Sequence, residues 1–191
     1  VGDNCIDRYL HPVNRTSVGG NAVNVAVAMA RLGIKSAYVG AVGDDPDGKR
    51  VLETLKAEGI DISHLRVAKG KTAYTDIALQ DGNRVIVQEQ MGVMETFQLD
   101  QALLDFVSGF DLAHNTLLGQ TWRHLRALKE RHVIVSFDFS DRANEAFLDE
   151  TLPYVDIAFH SLPEVSLEVA KAFAQKVFAA GPQLIVITMG A

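Results

Sequence analysis

Apolar residues along this chain follow two spacings, one typical of amphipathic helices and the other of buried strands. The first predicted helix begins after Gly20, and its apolar positions recur every three or four residues: Val23, Ala26, Val27 and Ala30. Arg31 lies in its last turn and Gly33 follows as a C-terminal cap. A second helix is predicted from about Pro46 to Gly59, with three buried apolar positions: Val51, Leu52 and Leu55.

Short β-prone runs separate these and further helical patterns. The predicted strands are a first one that contains Val1 and ends just before Asp7, then 38–42, 110–113, 133–139, 155–159 and 184–187. The later helices are marked by Leu103, Phe106 and Val107, by Trp122, Leu125 and Leu128, and by Val165, Val169, Phe173 and Val177. Alternation of strands and helices predicts an α/β fold with parallel pairing and right-handed crossovers.

One region departs from this alternation. Residues 72–79 and 84–89 form two extended runs joined through Asp81-Gly82-Asn83, and Asp-Gly between β-prone runs is a strong hairpin signal. The hairpin is either a surface excursion without a role in binding or a cover over a ligand site.

Composition narrows the class of protein. With 191 residues and 48% hydrophobic content, the chain is long enough for one domain with a small appendage. A net charge of -6 argues against a nucleic-acid partner, and no apolar run approaches the roughly 18 residues of a membrane span. A single cysteine, Cys5, excludes an internal disulfide. We therefore expect a cytoplasmic protein without nucleic-acid or membrane partners.

The most informative segment is residues 17–26, which combines two glycines, two asparagines and a helix start. Gly19 and Gly20 let backbone approach a ligand closely, and the carboxamides of Asn21 and Asn24 both donate and accept hydrogen bonds. This combination favours a polyhydroxylated ligand. The alternative is a strand-to-helix turn in which an Asn caps the helix.

Two acidic positions flank that segment. Asp7 is expected just past the carboxyl end of a strand, where open α/β sheets place ligands, although an Asp there also caps turns. The loop 43–48 contains Asp45-Pro46, an ordinary helix start, so a structural role and a ligand role remain equally open there.

Several motifs together resemble the ribokinase (PfkB) family of carbohydrate kinases, and its fructoselysine-phosphorylating branch in particular. The motifs are residues 2–7, 19–27, 42–45, 59–64, 92–94 and 137–141. Asn21 stands where ribokinases have Lys, and Cys5 where they have Asn, which agrees with that branch. The resemblance implies a three-layer α/β/α domain over residues 1–191, incomplete at both ends, with a small β lid formed by segments 8–18 and 71–92. Such lids often pair edge to edge, so a homodimer through the lid is one expectation.

The implied reaction is ATP-dependent phosphorylation of the C6 hydroxyl of the fructosyl group on N6-fructosyllysine. The sugar contacts carried over are Asp7, Gly19, Gly20, Asn21 and Asn24. Glu89 or Asp76 would pair the lysine amine. His114 and Asn115, at the end of a strand, would line the sugar or substrate-tail pocket, or are ordinary polar residues of the core.

Further residues match the phosphate and nucleotide side of the family. Asp138 and Arg142 follow a strand and would act on the transferring phosphate, or form a salt-bridged loop. Glu164, expected in the first turn of a helix, occupies the place of a family Glu that helps to hold Mg²⁺ water, but Ser161 replaces the Asn of that element. Thr188 and Gly190 match the turn that begins the ATP site.

The family's catalytic base is the last Asp of an Asp-Thr-x-Gly-Ala-Gly-Asp motif, and the 191 residues contain no such run. The expectation is therefore a chain truncated at its C-terminus that binds the sugar weakly and transfers no phosphate alone. Two alternatives stay open: another kinase of the family, such as a fructokinase or nucleoside kinase, and a non-catalytic sugar-binding remnant.

Overall fold

The computed structural model describes residues 1–80 and 83–190 and divides into two compact units, Val1–Gln98 and the part from Leu99 onward. The predicted Asp81-Gly82 turn lies outside the described residues. Within those ranges, no helix has the length and apolar character that crossing a bilayer requires.

The first unit opens with a hairpin and then alternates strands with helices. Its elements are β1 (Cys5–Tyr9), β2 (Arg15–Gly19), α1 (Asn21–Arg31), β3 (Ala41–Gly43), α2 (Pro46–Ala57), β4 (Arg66–Ala68), β5 (Tyr74–Gln80), β6 (Asn83–Gln90) and a 3₁₀ helix (Gly92–Thr96). Both predicted helices are confirmed. Helix α2 starts where expected because Asp45 accepts a hydrogen bond from the Gly48 amide (2.9 Å) and Pro46 occupies the first helical position.

Four strands of the first unit form one mixed sheet in the order β2-β1-β5-β6, named the lid sheet below. The pairs β1–β2 and β5–β6 are antiparallel, whereas β1 and β5 are parallel. The predicted hairpin is thus confirmed as β5–β6, and it shares a sheet with the chain segment that follows Asp7. Strands β3 and β4 form a separate parallel pair.

The core of the first unit lies between one face of the lid sheet and the helices. Its buried residues are Ile6, Ala22, Val23, Ala26, Tyr38, Val42, Val51, Leu55 and Ile60. Val18 and Tyr74 flank Ile6 on the neighbouring strands and pack on the same cluster. Because side chains alternate between the faces of a strand, Asp7 lies on the opposite face of the sheet from Ile6.

The second unit is a parallel sheet with helices. Its elements are α3 (Gln101–Val107), β7 (Leu112–Thr116), a 3₁₀ helix (Trp122–His124), α4 (Leu125–Glu130), β8 (Ile134–Asp138), α5 (Glu145–Thr151), a 3₁₀ helix (Leu152–Tyr154), β9 (Ile157–Ser161), α6 (Leu167–Ala179) and β10 (Leu184–Thr188). All strands in it are parallel, in the order β10-β9-β8-β7, as the alternation predicts. Val135, Phe137 and Ala158 are completely buried.

Some boundaries differ from the sequence-based expectation. The first strand starts at Cys5 rather than near Val1, and the strand expected over 38–42 is confined to Ala41–Gly43. Tyr38 instead donates its hydroxyl hydrogen to the Gly2 carbonyl (2.5 Å) inside the core. Helix α5 was not predicted, although Asn144 caps it by accepting a hydrogen bond from the Phe147 amide (2.9 Å).

Candidate functional site

Asp7 is central to the candidate site. The sequence predicts it just past the end of a strand, but in the structure it lies inside β1. Its side chain is 20% exposed. The Cys5 thiol donates to Asp7 Oδ1 (3.3 Å), and Arg84 Nη2 lies 3.7 Å from Asp7 Oδ2. Burial, and then the neighbouring Asp7 carboxylate, raise the pKa of the Cys5 thiol well above its ordinary value, so the thiol keeps its proton for this hydrogen bond.

Gly19 lies directly against that carboxylate. A Cβ at position 19 would lie 2.7 Å from Asp7 Oδ2 and 3.1 Å from Asp7 Cγ, closer than non-bonded atoms approach. Only glycine leaves the carboxylate of Asp7 in this position. The structure therefore brings the first predicted sugar carboxylate and the first glycine of the diglycine segment together.

Gly20 has a backbone role. Its φ of 106° is unfavourable for residues with a side chain, and a Cβ there would lie 2.6 Å from Asn4 Cα and 2.8 Å from the Asp3 carbonyl oxygen. The turn from β2 into α1 consequently packs tightly on the residues that precede β1.

Helix α1 is capped by Asp3, a residue that sequence reasoning missed. Its carboxylate accepts hydrogen bonds from the amides of Asn21 (2.7 Å) and Ala22 (3.3 Å), and the residue is only 5% exposed. The N-cap position itself is Gly20, which makes no side-chain cap, so the alternative in which an Asn caps the helix is wrong. Because Asp3 is distant in sequence from the start of α1, no pattern within the helix itself indicates that its carboxylate accepts these hydrogen bonds.

The two asparagines of the segment are placed differently from each other. Asn21 is half-buried at the first position of α1, while Asn24, one turn later, is exposed and donates its backbone amide to the Gly20 carbonyl (2.9 Å). Since neither carboxamide is needed as the helix cap, both stay candidates for ligand contacts.

The strand register determines which acidic residues share a face with Asp7. Across the lid sheet, Ser17, Asp7, Thr75 and Glu89 form one row, because Asp7 is in register with Ser17 and Thr75, and Thr75 with Glu89. Asp76 is in register with Arg8 and therefore lies on the other face. Arg8 binds Asp47 of α2 (2.7 Å) on that side. Of the two acids considered for the lysine amine, only Glu89 shares the Asp7 face.

The second glycine-containing loop is a structural element in this fold. Asp45 accepts hydrogen bonds from the Thr72 hydroxyl (2.7 Å) and amide (3.1 Å) as well as from Gly48. Burial acts against ionisation, but these hydrogen bonds outweigh it and hold the pKa of Asp45 below its ordinary value. A Cβ at Gly43 would lie 2.3 Å from the Gly70 carbonyl oxygen, so close packing accounts for that glycine.

In the second unit, the predicted phosphate residues gather at the carboxyl ends of neighbouring strands. Asp138 ends β8 and accepts a hydrogen bond from the Ser140 amide (2.8 Å), while Arg142 Nε lies 3.9 Å from Asp141 Oδ1. The Ser161 amide donates to the Ser140 carbonyl (3.0 Å), which joins the loops after β8 and β9. This sheet edge is where parallel α/β sheets place ligands.

Glu164 and the end of β10 lie at the same edge. Glu164 is exposed in a turn with φ of 64°, not in the first turn of α6, which begins at Leu167 with Ser166 as its cap. The expectation that Glu164 lies in the first turn of a helix is therefore wrong. The Leu162 amide donates to the Thr188 carbonyl (2.8 Å), and Gly190 has φ of 84° with no atom within 4 Å of a Cβ position.

His114 and Asn115 on β7 have structural partners. Asn115 is fully buried; its Nδ2 donates to the Ala113 carbonyl (3.1 Å) and its Oδ1 accepts from the Thr121 hydroxyl (2.9 Å). His114 Nδ1 lies 2.9 Å from Ser136 Oγ, and burial lowers the pKa of His114 to about 4. A sugar contact by Asn115 would require exchange of these bonds, so its substrate role stays a prediction.

No group of three or more His, Cys, Asp or Glu side chains among residues 1–80 and 83–190 is arranged to hold a metal ion.

Comparisons with known proteins add a consistent result. Residues 11–191 match the family described as pfkB family carbohydrate kinase. The chain is 33% identical over 190 residues to fructoselysine 6-kinase of Escherichia coli (strain K12), covering 100% of this chain and 72% of that protein. It is 32% identical over 194 residues to the fructosamine kinase FrlD of Bacillus subtilis (strain 168), covering 100% of this chain and 68% of that protein.

Solved structures show the same fold. Arabidopsis thaliana ribokinase, complexed with ribose and ATP, superposes with a TM-score of 0.81 at 19% identity, covering 99% of this chain and 70% of that one. Fructokinase from Xylella fastidiosa superposes with a TM-score of 0.77 at 23% identity, covering 100% of this chain and 71% of that one. The chain therefore has a ribokinase-like α/β fold, as the resemblance implied.

Proposed function

Because this chain belongs to the pfkB family of carbohydrate kinases, and is thus related to phosphotransferases that act on sugars, we propose that it serves the ATP-dependent phosphorylation of a fructosamine. The proposed acceptor is the C6 hydroxyl of the fructosyl group on N6-fructosyllysine. The names of two relatives that match the whole chain, a fructoselysine 6-kinase and a fructosamine kinase, support this substrate class.

One observation carries the proposal: the Asp7 carboxylate, held by Cys5 and given room by Gly19, shares a sheet face with Glu89. A carboxylate accepts hydrogen bonds from neighbouring sugar hydroxyls. Glu89 is two strands away, about 10 Å between Cα atoms at the usual strand spacing. That separation suits a ligand with a polyol at one end and an ammonium group beside it.

We further propose that Gly20 and Gly19 offer backbone to the sugar and that Asn21, Asn24 and Asn115 offer their carboxamides. In this assignment Asp7 orients the sugar so that its reacting hydroxyl is presented to the phosphate. The charge of the ammonium group distinguishes a fructosamine from fructose, because Glu89 gains an ion pair only with the former.

In the second unit, we propose that Arg142 contacts the transferring phosphate and that Asp138 orients the loop around it. Thr188 and Gly190 would lie against the nucleotide, and the φ of 84° at Gly190 suits a glycine turn there. When bound, ATP supplies the phosphoryl group. Mg²⁺ usually keeps several waters and needs only one or two carboxylates, so the exposed Glu164 fits a role in holding one of those waters.

The proposal includes two properties of the whole protein. The outer strand β6 carries Ile86 and Val87, which are 50% and 57% exposed, and this supports a homodimer that pairs through the lid sheet. We also propose a cytoplasmic location, which the single cysteine among these 191 residues supports.

The substrate class is tested by isothermal titration calorimetry with the full chain and three ligands: N6-fructosyllysine, fructose and ribose. We expect the fructosamine to bind at least about tenfold more tightly than fructose, since hydrogen bonds to charged groups contribute about 1.5–3 kcal/mol. Tighter binding of fructose or ribose would instead favour another sugar kinase of the family. An ADP-coupled assay of a protein that also contains the family's Asp-Thr-x-Gly-Ala-Gly-Asp segment, with ¹³C NMR of the product, then locates the phosphate.

A further inference from the structure

The sheet face that carries Asp7 changes charge along its strands. The first row contains the carboxylates of Asp7 and Glu89. The next row on the same face, two residues further along β1, consists of Arg15, Tyr9, Ile77 and Ile86. Beyond it, Arg84 is in register with Leu79 at the far end of the hairpin. The face therefore passes from acidic groups, over an aromatic and aliphatic strip, to basic groups.

Arg84 reaches back over this strip. Its Nη2 lies 3.7 Å from Asp7 Oδ2 and its Cζ lies 5.5 Å from the centre of the Tyr9 ring, while its side chain is 59% exposed. At 3.7 Å the contact with Asp7 is an ion pair without a hydrogen bond. The planar donor fork of Arg84 is thus not committed to that carboxylate.

This contact places the guanidinium on the oxygen that a sugar would use. Asp7 Oδ1 already accepts a hydrogen bond from Cys5, which leaves more acceptor capacity at Oδ2 for a sugar hydroxyl. A hydroxyl that donates to Oδ2 competes with Arg84 for it. The Arg84 side chain is long and exposed, and its displaced guanidinium lies next to the apolar strip. The planar set of N–H donors on this guanidinium best fits an anionic group of the same ligand.

We propose that Arg84 binds the carboxylate of the amino acid to which the sugar is attached, an assignment that rests on the proposed fructosamine substrate. The sugar hydroxyls take Asp7, the aliphatic part of the amino acid crosses Tyr9 and Ile86, and the carboxylate meets Arg84. The row that contains Tyr9 is about 7 Å from the Asp7 row along the strand, which leaves room for such a linker. Arg84 is then a specificity-determining residue that rejects sugars without an anionic tail.

The test compares two ligands that differ only in the carboxylate: N6-fructosyllysine and the fructosamine of 1,5-diaminopentane. Binding to the full chain is measured by calorimetry for wild type, R84Q, R84K and R50Q. Arg50 is a matched control, because it also bears a charge at the lid sheet but bonds to Thr16, which is in register with Arg8 on the other face.

We expect R84Q to weaken binding of the carboxylate-bearing ligand by about 10- to 100-fold and to leave the other ligand unchanged or bound more tightly. R84K should fall between, since it keeps the charge but loses the fork. R50Q should bind both ligands as wild type does. Thermal unfolding verifies that each variant is folded.

Three outcomes contradict the role of Arg84. Equal losses for both ligands would mean that Arg84 acts on the sugar, and unchanged binding of N6-fructosyllysine would mean that it touches no carboxylate. Equal affinity of the wild type for the two ligands also overturns the role, while the fructosamine proposal stands. If the wild type binds neither ligand, the proposed substrate itself is wrong.

Discussion

Replacement of Gly19 by Ala tests whether the diglycine segment serves ligand binding rather than folding. The added Cβ would lie 2.7 Å from Asp7 Oδ2, 3.1 Å from Cγ and 3.3 Å from Oδ1, so its three nearest atoms all belong to one carboxyl group. The carboxylate has to rotate away, and it then loses the hydrogen bond from Cys5. No main-chain atom is among these contacts.

The two effects of this substitution differ in size. Loss of hydrogen bonds to a displaced carboxylate should weaken sugar binding by about 1.5–3 kcal/mol, or roughly 10- to 100-fold. The crowding should lower the free energy of unfolding by about 1 kcal/mol, partly offset because Ala reduces the freedom of the unfolded chain. Gly19→Ala should therefore bind poorly while remaining folded.

Gly20→Ala is the matched comparison. Its Cβ would meet main-chain atoms of Asp3 and Asn4, and its φ of 106° is strained for Ala, so this variant should lose several kcal/mol of stability. Gly33→Ala controls for strain alone, since its φ is 80° and nothing lies within 4 Å. Urea unfolding and calorimetry measure the two quantities. Wild-type affinity in Gly19→Ala, or a stability loss as large as that of Gly20→Ala, would refute the reasoning.

Three further predictions concern the cap, a buried histidine and the sheet edge. Asp3→Ala should lower the free energy of unfolding by about 1–2 kcal/mol, more than Asp44→Ala, whose carboxylate is exposed; equal losses would contradict the cap. Burial lowers the pKa of His160 to about 4, below its ordinary 6.5, so the unfolded chain takes up a proton first and stability should fall as the pH drops from 6.5 to 4. His160→Gln should reduce that slope by up to about 1.4 kcal/mol per pH unit, and an unchanged slope in urea titrations would count against it. Val87→Lys should shift a dimer to monomer in size-exclusion chromatography with light scattering, whereas Val67→Lys, on β4, should not; a monomeric wild type would disprove the lid dimer.

Local patterns were sufficient for much of the fold. The apolar spacing of α1, the Asp45-Pro46 start of α2 and the hairpin β5–β6 all depend on residues close in sequence, and the structure has them near the expected positions. Helix α5 was not predicted because it is only 7 residues long and one of its two buried residues, Thr151, is polar, so its apolar spacing is weak.

The candidate site was less predictable because its geometry depends on distant partners. The position of Asp7 inside a strand follows from the pairing of β1 with β5. The face on which Glu89 lies follows from the register of β1 with β5 and of β5 with β6. The contribution of Asp3 to the start of α1 likewise comes from outside the helix. A sequence pattern indicates residue types, whereas the sheet register determines which of them share a face.

The parallel pair β1–β5 also has a consequence for the order of folding. The two strands are far apart in the chain, because α1, β3, α2 and β4 lie between them in sequence. In contrast, β1–β2 and β5–β6 are local hairpins. Closing such a long loop is entropically unfavourable until the intervening segment has compacted. We expect the two hairpins to form early and their joining to be slow, so the row from Ser17 to Glu89 is completed only after the helical core of the first unit is in place.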